Sequence, residues 1–210
     1  MINDKDQIKN KEQIRNRIWS LMESSGIADF PLPVSGRIPN FKGALQASQR
    51  LRETEIWKKS KVVFSSPDYA QKYCREFALK DGKTLLMATP RLKEGYLILK
   101  PEDVKGREKF ASTIKGAFKY GKNAVKLPKV DLVITGSVAV DIKGNRIGKG
   151  GGYGDREITQ LKQEGCIDEN TPIVTTVHDI QIIEDISELV EEHDVKITHI
   201  VTPTRILKCL

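Results

Sequence analysis

The sequence predicts an α/β protein with a mostly parallel sheet, because strand-like and helix-like segments alternate over most of its 210 residues. The runs KVVFSS, KTLLMAT and VDLVITGSVAV are apolar, rich in β-branched residues and of strand length. The last of them has the continuous apolar character of a strand that is covered on both faces. Helix-like stretches separate these runs, and a chain of this length is expected to form one domain over residues 1–210.

The N-terminal third is predicted to hold two helices joined by a loop. The first helix runs from about Asp4 to Ser25, and Gly26 supplies its stop. Its apolar stripe recurs at helical spacing and consists of Ile14, Ile18, Leu21 and Met22. Three prolines and two glycines between Ile27 and Gly43 predict an ordered surface loop, and a second helical stretch covers Ala44 to Lys59.

The remaining elements follow a strand–helix–strand rhythm. After KVVFSS, a helix from Pro67 to Lys80 is expected with Ser66 as its N-cap, and KTLLMAT is the next strand. A short strand from Gly95 to Lys100, a helix from Arg107 to Tyr120 and the buried strand VDLVITGSVAV come next. A helix from about Asp155 to Gln163, closed by Gly165, then precedes the strands PIVTTV and KITHIVT.

Composition excludes several classes of protein. Apolar residues make up 39% and charged residues 30% of the chain, and no apolar run is long enough to cross a bilayer. The first residues lack the apolar stretch of a secretory signal, so we expect a cytoplasmic protein without a membrane partner. The three cysteines are widely scattered, which argues against a zinc site or a redox pair.

The net charge of +7 is distributed unevenly along the chain. Residues 100–156 carry 13 basic and 6 acidic side chains, whereas residues 157–210 carry 4 and 11. A basic middle segment would raise the local concentration of an anionic ligand. A nucleotide, a polyglutamylated cofactor and a nucleic acid all remain open on charge alone.

The glycine-rich run RIGKGGGYGDR, residues 146–156, is the strongest functional signal in the sequence. Glycines leave backbone N–H groups accessible, and the helix that follows directs its positive end to the same place. The run is neither a Walker A loop nor a GxGxxG fingerprint. A surface turn without a ligand is the alternative, but the preceding buried strand favours a phosphate site formed by the backbone of Gly148, Gly150, Gly151 and Gly152 with the side chains of Arg146, Lys149 and Arg156.

Asp155 is the one carboxylate in this cationic run. A carboxylate beside phosphates is repulsive unless a divalent cation lies between them, which is the usual arrangement of Mg²⁺ with ATP. We therefore predict that Asp155 binds Mg²⁺.

The string RIGKGGGYGDR, together with DLVITGSVAVDIKGN before it and EEHDVKITHIVTPTRI near the C-terminus, resembles the 5-formyltetrahydrofolate cyclo-ligase (methenyltetrahydrofolate synthetase) family. The resemblance covers nearly the whole chain and is greatest for the branch called methenyltetrahydrofolate synthase domain-containing proteins. It implies a three-layer α/β/α sandwich of the NagB/RpiA/CoA-transferase type. It also implies the ATP-dependent conversion of 5-formyltetrahydrofolate, or a related reduced pterin, to the 5,10-methenyl form with ADP and phosphate.

The resemblance further implies roles for residues outside the glycine-rich run. It places Lys11 and Arg15, one helical turn apart, on the ATP phosphates, although solvated surface charge is the alternative for both. It places Mg²⁺ on Asp155 and Asp194, and it assigns Arg146 and Tyr153 to the catalytic centre.

Three departures from the family pattern are present. One is that Thr135-Gly136-Ser137-Val138-Ala139-Val140-Asp141 stands where the family usually has a PG-(V)-x-F-D segment. The usual second loop tyrosine is Gly154, and the family's acidic segment on the folate side has no clear counterpart, since RIPNFKG stands in that part of the chain. Gln181 does match a family glutamine, so the nucleotide half of the site is the better preserved. The pairs His178-Asp179 and His193-Asp194 favour a metal phosphohydrolase only weakly, and His178 and His199 are expected to be structural.

The alternative function is a nucleotide-binding, non-catalytic protein associated with RNA. Animal members of the branch carry an RNA-recognition domain, and this chain is basic. No aromatic RNA-binding motif appears, however, and Trp19 and Trp57 are better explained as packing residues. The sequence leaves the oligomeric state open.

Overall fold

The structure is a computed structural model and describes residues 10–210. Seven α-helices and twelve strands occur within this part of the chain. The helices are α1 (Lys11–Ser24), α2 (Ala44–Arg52), α3 (Glu55–Lys59), α4 (Lys72–Lys80), α5 (Glu108–Ala111), α6 (Ile114–Tyr120) and α7 (Tyr153–Gln163). The strands are β1 (Ala28–Asp29), β2 (Asn40–Phe41), β3 (Val62–Ser65), β4 (Thr84–Ala88), β5 (Tyr96–Leu99), β6 (Lys122–Asn123), β7 (Leu132–Thr135), β8 (Ala139–Val140), β9 (Arg146–Ile147), β10 (Ile173–Thr176), β11 (His199–Val201) and β12 (Ile206–Lys208).

An eight-stranded sheet with the order β12-β11-β10-β7-β3-β4-β5-β6 forms the middle layer. The five strands from β11 to β4 run parallel to one another, whereas β12 at one edge and β5 and β6 at the other are antiparallel. Two short antiparallel hairpins, β1–β2 and β8–β9, lie outside this sheet. The mostly parallel sheet predicted from the sequence is confirmed.

Helices cover both faces of the sheet, as the alternation of side chains along β7 requires. Leu132 and Ile134 point into the core beneath α1, α2 and α4, and Val133 points into the core beneath α7. A third cluster packs α4, α5 and α6 against β4 and β5. This arrangement confirms the three-layer α/β/α fold.

Three predicted helices have different boundaries in the structure, because local caps interrupt them. The stretch from Ala44 to Lys59 is two helices, since the hydroxyl of Thr54 accepts a hydrogen bond from the backbone N–H of Trp57 and starts α3. Thr113 divides the stretch from Arg107 to Tyr120 in the same way. The helix expected from Pro67 begins only at Lys72, after a short 3-10 turn, and Ser66 is not its cap.

The first helix is confirmed from Lys11 onward, and its expected portion from Asp4 to residue 9 lies outside the described residues. Ile14, Ile18 and Met22 are buried as predicted. The prediction for Leu21 was wrong because its side chain is 41% exposed, and Trp19 is buried instead, with its indole N–H donating to the carbonyl of Arg37. Within residues 10–210, none of the helices combines the length and apolar character that crossing a bilayer demands.

The buried strand predicted over VDLVITGSVAV is shorter than expected. Only Leu132–Thr135 pair within the large sheet, after which the chain turns at Gly136 and enters the β8–β9 hairpin. The antiparallel edge strand β12 was not predicted at all. Its residues are largely exposed, so the sequence carries no buried apolar run there.

The two faces of α1 give a direct test of the packing. Replacing Ile18, which is 1% exposed, by alanine removes buried apolar volume and should lower the free energy of unfolding by about 2–5 kcal/mol. The matched substitution Leu21→Ala on the exposed side of the helix should change it by no more than about 0.5 kcal/mol. Urea unfolding of both variants measures the difference, and equal losses would contradict the orientation of α1.

Candidate functional site

The glycine-rich loop, residues 148–152, lies between the β8–β9 hairpin and the first turn of α7. The hairpin follows the carboxyl end of β7, and the neighbouring strand β3 ends at the same edge of the sheet because the two strands are parallel. Ligands of open α/β sheets bind at this edge. The loop therefore occupies the position at which the fold favours a binding site.

The backbone of the loop is arranged to present its N–H groups. Gly150 and Gly152 have φ angles of +103° and +63°, a conformation that glycine adopts without strain. Within residues 10–210, no N–H group of residues 148–152 donates a hydrogen bond, whereas several loop carbonyls are engaged. Arg15 donates through Nε to the carbonyl of Gly148 at 2.7 Å, and the Arg156 guanidinium donates to the carbonyls of Gly151 and Gly152. Free N–H groups at a helix N-terminus form an anion site.

Arg156 therefore acts on the loop itself in this structure. Besides the two carbonyl contacts, its guanidinium lies 4.3 Å from the centre of the Tyr153 ring. Both contacts fix the conformation of the turn from the loop into α7. The contact of Arg156 with phosphate remains a prediction.

Arg146 and Asp155 form a largely buried ion pair beneath the loop. Nη2 of Arg146 lies 2.5 Å from Oδ1 of Asp155, and Nη1 donates to the carbonyl of Gly136 at 3.1 Å. The same Asp155 oxygen accepts a hydrogen bond from the backbone N–H of Val195 at 3.1 Å. Oδ2 of Asp155 and Nε of Arg146 have no hydrogen-bond partner among the described residues. Asp155 thus connects α7 to the segment before β11 and keeps one oxygen available.

Lys11 and Asp194 meet next to this connection. Nζ of Lys11 lies 2.6 Å from Oδ2 of Asp194 and 2.6 Å from Oε2 of Glu191. Burial is the largest single influence on the pKa of Asp194 and would raise it, but the hydrogen bonds from Lys11 and the N–H of Glu191, together with the charge of Lys11, hold the pKa below its usual value. Burial would likewise lower the pKa of Lys11, which its two carboxylate partners raise.

Candidate metal ligands are concentrated at this point. Glu191, His193 and Asp194 bring their ligand atoms within 4.8 Å of one another, and Asp155 reaches the backbone of the residue after Asp194. Carboxylate oxygens suit Mg²⁺, which prefers hard oxygen ligands. In the structure Lys11 forms ion pairs with both Glu191 and Asp194, so its single positive charge offsets part of their combined negative charge.

The structure thus brings the predicted site residues into one region. Lys11 and Arg15 come from α1, Arg146 from β9, Tyr153, Asp155 and Arg156 from the first turn of α7, and Asp194 from the loop before β11. Direct contacts join α1 to the glycine-rich loop and to Asp194. The roles assigned to these residues remain predictions.

Asp68 and Gln71 also belong to this region, and the sequence analysis missed them. Lys149 of the loop lies 3.6 Å from Oδ1 of Asp68. A Cβ atom on Gly136 would come within 2.9 Å of the Asp68 carboxylate and 3.1 Å of Oε1 of Gln71, so only glycine allows this close approach. Gln71 is fully buried, and its Oε1 has no hydrogen-bond partner within the described chain. The available signal was the position of Asp68 just after a strand that is parallel to β7.

A buried arginine holds the segment that carries Asp68. Arg75 donates hydrogen bonds to the carbonyls of Ser66, Asp68 and Ser112. Burial lowers the pKa of Arg75 to about 10, which leaves the guanidinium charged at neutral pH. Burial raises the pKa of Asp68, and the charges of Lys149 and Arg75 oppose that effect.

Glu157 lies below the loop with its side chain almost completely buried. Ser66 donates a hydrogen bond from Oγ to Oε2 of Glu157 at 2.8 Å, which explains why Ser66 does not cap α4. Burial raises the pKa of Glu157 to about 8, and the Ser66 hydrogen bond only partly counteracts it. The carboxyl group is therefore mostly protonated at pH 7.

The other polar residues that the sequence singled out have local structural contacts. His178 caps a 3-10 turn by accepting from the N–H of Ile180, and Asp179 accepts from the hydroxyls of Thr202 and Thr204. Gln181 is fully buried and donates to the carbonyls of Ser137 and Val138. Nδ1 of His199 lies 2.8 Å from Oγ1 of Thr198.

Comparison with known proteins gives a consistent result. The model of the 5-formyltetrahydrofolate cyclo-ligase family matches residues 7–203. A methenyltetrahydrofolate synthase domain-containing protein of Homo sapiens is 42% identical over 205 residues, which cover 94% of this chain and 53% of the human protein. A 5-formyltetrahydrofolate cyclo-ligase of Escherichia coli is 33% identical over 85 residues, covering 40% of this chain and 43% of the relative. The chain spans about half the length of the domain-containing relatives.

Solved structures resemble the fold at low sequence identity. The NMR structure of a 5,10-methenyltetrahydrofolate synthetase from Aquifex aeolicus has a TM-score of 0.60 at 17% identity, covering 94% of this chain and 92% of that one. A 5,10-methenyltetrahydrofolate synthetase from Mycoplasma pneumoniae has a TM-score of 0.54 at 13% identity, covering 91% and 97%. These matches support the three-layer fold.

The protonated state of Glu157 predicts a pH dependence of stability. Between the unfolded pKa near 4.5 and the folded value of about 8, only the folded state holds this proton, so the group lowers the free energy of unfolding by about 1.4 kcal/mol per pH unit as the pH rises. In Glu157→Gln this contribution is absent. The stability of the variant relative to the unmodified protein should therefore rise by about 3 kcal/mol between about pH 5 and about pH 7.5.

Urea unfolding at the two pH values measures this change. Glu164→Gln, at the exposed end of the same helix region, is the control and should leave the difference between the two pH values unaltered. If the stability difference between Glu157→Gln and the unmodified protein were the same at both pH values, Glu157 would be ionised in the folded protein over this range.

Proposed function

The chain belongs to the 5-formyltetrahydrofolate cyclo-ligase family, and from this premise we propose that it converts 5-formyltetrahydrofolate, or a related reduced pterin, to the 5,10-methenyl form. The reaction consumes ATP in the presence of Mg²⁺ and releases ADP and phosphate. The observation that carries the proposal is the convergence of α1, the glycine-rich loop and the Asp194 segment through direct contacts.

The loop and α1 provide the nucleotide half of the site in this proposal. The unpaired N–H groups of residues 148–152 bind phosphate oxygens, and the start of α7 adds the positive end of its helix dipole. Lys11, Arg15 and Lys149 add fixed positive charge, and Arg146 and Arg156 hold the loop in position.

Asp155 and Asp194 are the proposed Mg²⁺ ligands. Oδ2 of Asp155 is available, and Asp194 is ionised because its pKa is low. Held by these residues, the ion would compensate the charge of Asp194 in place of Lys11, and Lys11 would then be available to a phosphate. The ion supplies charge neutralisation between the carboxylates and the triphosphate.

The proposed second substrate lies on the Asp68 side of the loop. Asp68 and the unpaired Oε1 of Gln71 offer hydrogen-bond acceptors to the amino groups of a reduced pterin, and Gly136 lets both side chains approach the backbone that follows β7. Lys149 lies between this group and the loop. Tyr153, at the boundary between the two halves, is the proposed catalytic residue, and Arg146 is proposed to act by holding Asp155 in position beside it. Catalysis in this arrangement rests on positioning and charge neutralisation.

The proposal concerns the part of the protein that this sequence covers, and it retains the expectation of a cytoplasmic location. The alternative is a protein that binds the nucleotide without catalysis. The two functions share the loop and α1 contacts and differ in the use of Asp68. Product formation separates them.

The purified chain should form methenyl product from 5-formyltetrahydrofolate only when both ATP and Mg²⁺ are present. Absorbance of the methenyl product and release of phosphate are followed together, with omission of ATP or chelation of Mg²⁺ as controls. Binding of Mg-ATP is measured on the same preparation by calorimetry. Nucleotide binding without product would favour the non-catalytic alternative, and the loss of both would refute the proposed site.

Asp155→Asn tests the metal assignment separately from catalysis. The amide keeps an oxygen for Arg146 and Val195 but loses the negative charge, so the affinity for Mg-ATP should fall by at least about tenfold. The affinity for ATP in the presence of a chelator should change little. Glu169→Gln, an exposed carboxylate substitution outside the site, is the control.

Calorimetry gives the affinities, and thermal unfolding checks that the variant folds. An unchanged affinity for Mg-ATP in folded Asp155→Asn would exclude Asp155 as a metal ligand.

A further inference from the structure

Most of the basic charge in the middle of the chain lies at the β6 edge of the sheet, and not at the glycine-rich loop. Residues 105–129 carry eight lysine or arginine side chains and one acidic residue, Glu108. They form α5, α6, β6 and the adjoining loops, all eight cations are exposed, and β3, β4 and β5 separate β6 from β7. The topology therefore separates this charge from the glycine-rich loop.

An aromatic–cation strip runs along this side of the molecule, and we define it by Tyr69, Lys72, Arg107, Lys109, Phe110 and Tyr120. Nζ of Lys72 lies 5.6 Å from the centre of the Tyr69 ring. Lys72 also lines an open pocket of about 470 Å³ together with Arg107, Lys109 and Phe110. The rings of Phe110 and Tyr120 meet edge to face at 6.2 Å, and Arg107 lies 5.8 Å from the Tyr120 ring. Each member thus contacts the next or shares the pocket with it.

The cations of the strip have no anionic partner in the described protein. No ion pair within residues 10–210 involves Lys72, Arg107 or Lys109. The nearby carboxylate of Glu108 accepts a hydrogen bond from the N–H of Gly106, and Asp103 lies 3.8 Å from Lys122. The positive charge around the pocket is therefore largely uncompensated.

The rings of the strip are also accessible. Phe110 is 40% exposed and Tyr69 is 38% exposed, and beyond Tyr69 the ring of Phe30 adds a further exposed face at 5.3 Å. Exposed rings that alternate with unpaired cations match a ligand with regularly spaced phosphates and flat groups. Single-stranded nucleic acid has this chemistry, because its bases stack on aromatic faces while its phosphates contact lysine and arginine.

We propose that the aromatic–cation strip binds single-stranded nucleic acid. A duplex fits less well because its bases are already stacked and leave the rings unused. Ile114, Phe118 and Val125 of the same segment are also exposed, but they do not line the pocket that Lys72, Arg107, Lys109 and Phe110 share, so the test below includes anionic vesicles. The contacts that carry this proposal come from the 3-10 turn at Tyr69–Gln71, the start of α4 and the segment from Arg107 to Tyr120, and none of them involves the glycine-rich loop. Tyr69 directly follows Asp68, so the tests change only Arg107, Lys109 and Phe110, which the proposed enzymatic function does not use.

Two variants of the full chain test the stacking and charge contributions separately. Phe110→Leu keeps an apolar side chain but removes the ring, and it should weaken binding of a labelled single-stranded oligonucleotide by about fivefold or more at all salt concentrations. The double substitution Arg107→Gln and Lys109→Gln should lower the slope of log K against log salt by about 1.4, the value for two lost phosphate contacts. Lys162→Gln with Lys208→Gln is the charge-matched control, because Lys208 lies on β12 at the opposite edge of the sheet.

Fluorescence anisotropy with uridine-rich RNA and thymidine-rich DNA, at about 50 and about 200 mM salt, gives these affinities. The expected result is binding of both single strands, stronger than that of the matching duplex, with losses only in the strip variants. Thermal unfolding and Mg-ATP calorimetry should be unchanged in all variants, so failure here is distinguishable from failure of the nucleotide site.

Three results would overturn the proposal. Equal losses in the control variant would mean that binding depends on net charge alone. Equal affinity for duplex and single strand would exclude stacking on the rings. Binding of anionic vesicles or polyglutamate by the strip, without binding of oligonucleotide, would assign the surface to another partner.

Discussion

The guanidinium of Arg146 ties together the parts of the molecule on which the candidate site depends. It is nearly buried and donates to the carbonyl of Gly136 after β7, while its second nitrogen pairs with Asp155 in α7. Asp155 in turn accepts from the backbone before β11. Removal of either charge would leave the other buried and unpaired, which costs several kcal/mol in proteins of known energetics. The loop geometry, the start of α7 and the position of Asp194 therefore depend on one ion pair.

Backbone carbonyl groups are the main hydrogen-bond acceptors for the arginines around the site. Arg15, Arg75, Arg146 and Arg156 all direct guanidinium hydrogen bonds at backbone carbonyls around the site. These guanidinium groups donate to backbone carbonyls, and the loop N–H groups remain available for a ligand. In this structure the arginines around the loop therefore bind mainly acceptors of the protein itself.

Two buried or partly buried carboxyl groups near the site, those of Asp194 and Glu157, differ in protonation state. Asp194 has a cationic neighbour in Lys11 and stays ionised, whereas Glu157 has only a hydroxyl partner and holds its proton to about pH 8. Burial acts on both groups in the same direction, so the partner decides the outcome. The basic residues of α5 and α6 differ from these buried groups because they are exposed. Water screens their charges, and most of them have no carboxylate partner.

The sequence by itself determined the order of the main elements, the mostly parallel sheet and the glycine-rich loop, because apolar periodicity and glycine act locally. Family resemblance also predicted roles for Lys11, Arg15 and Asp194, although nothing in their own neighbourhoods marks them. Only the tertiary structure showed that Arg156 binds loop carbonyls, that Ser66 pairs with Glu157 and that Asp68 faces Lys149. Those contacts join residues from separate elements. They depend on which strands lie side by side in the sheet and on which side chains are buried, and neither can be inferred from one stretch of sequence.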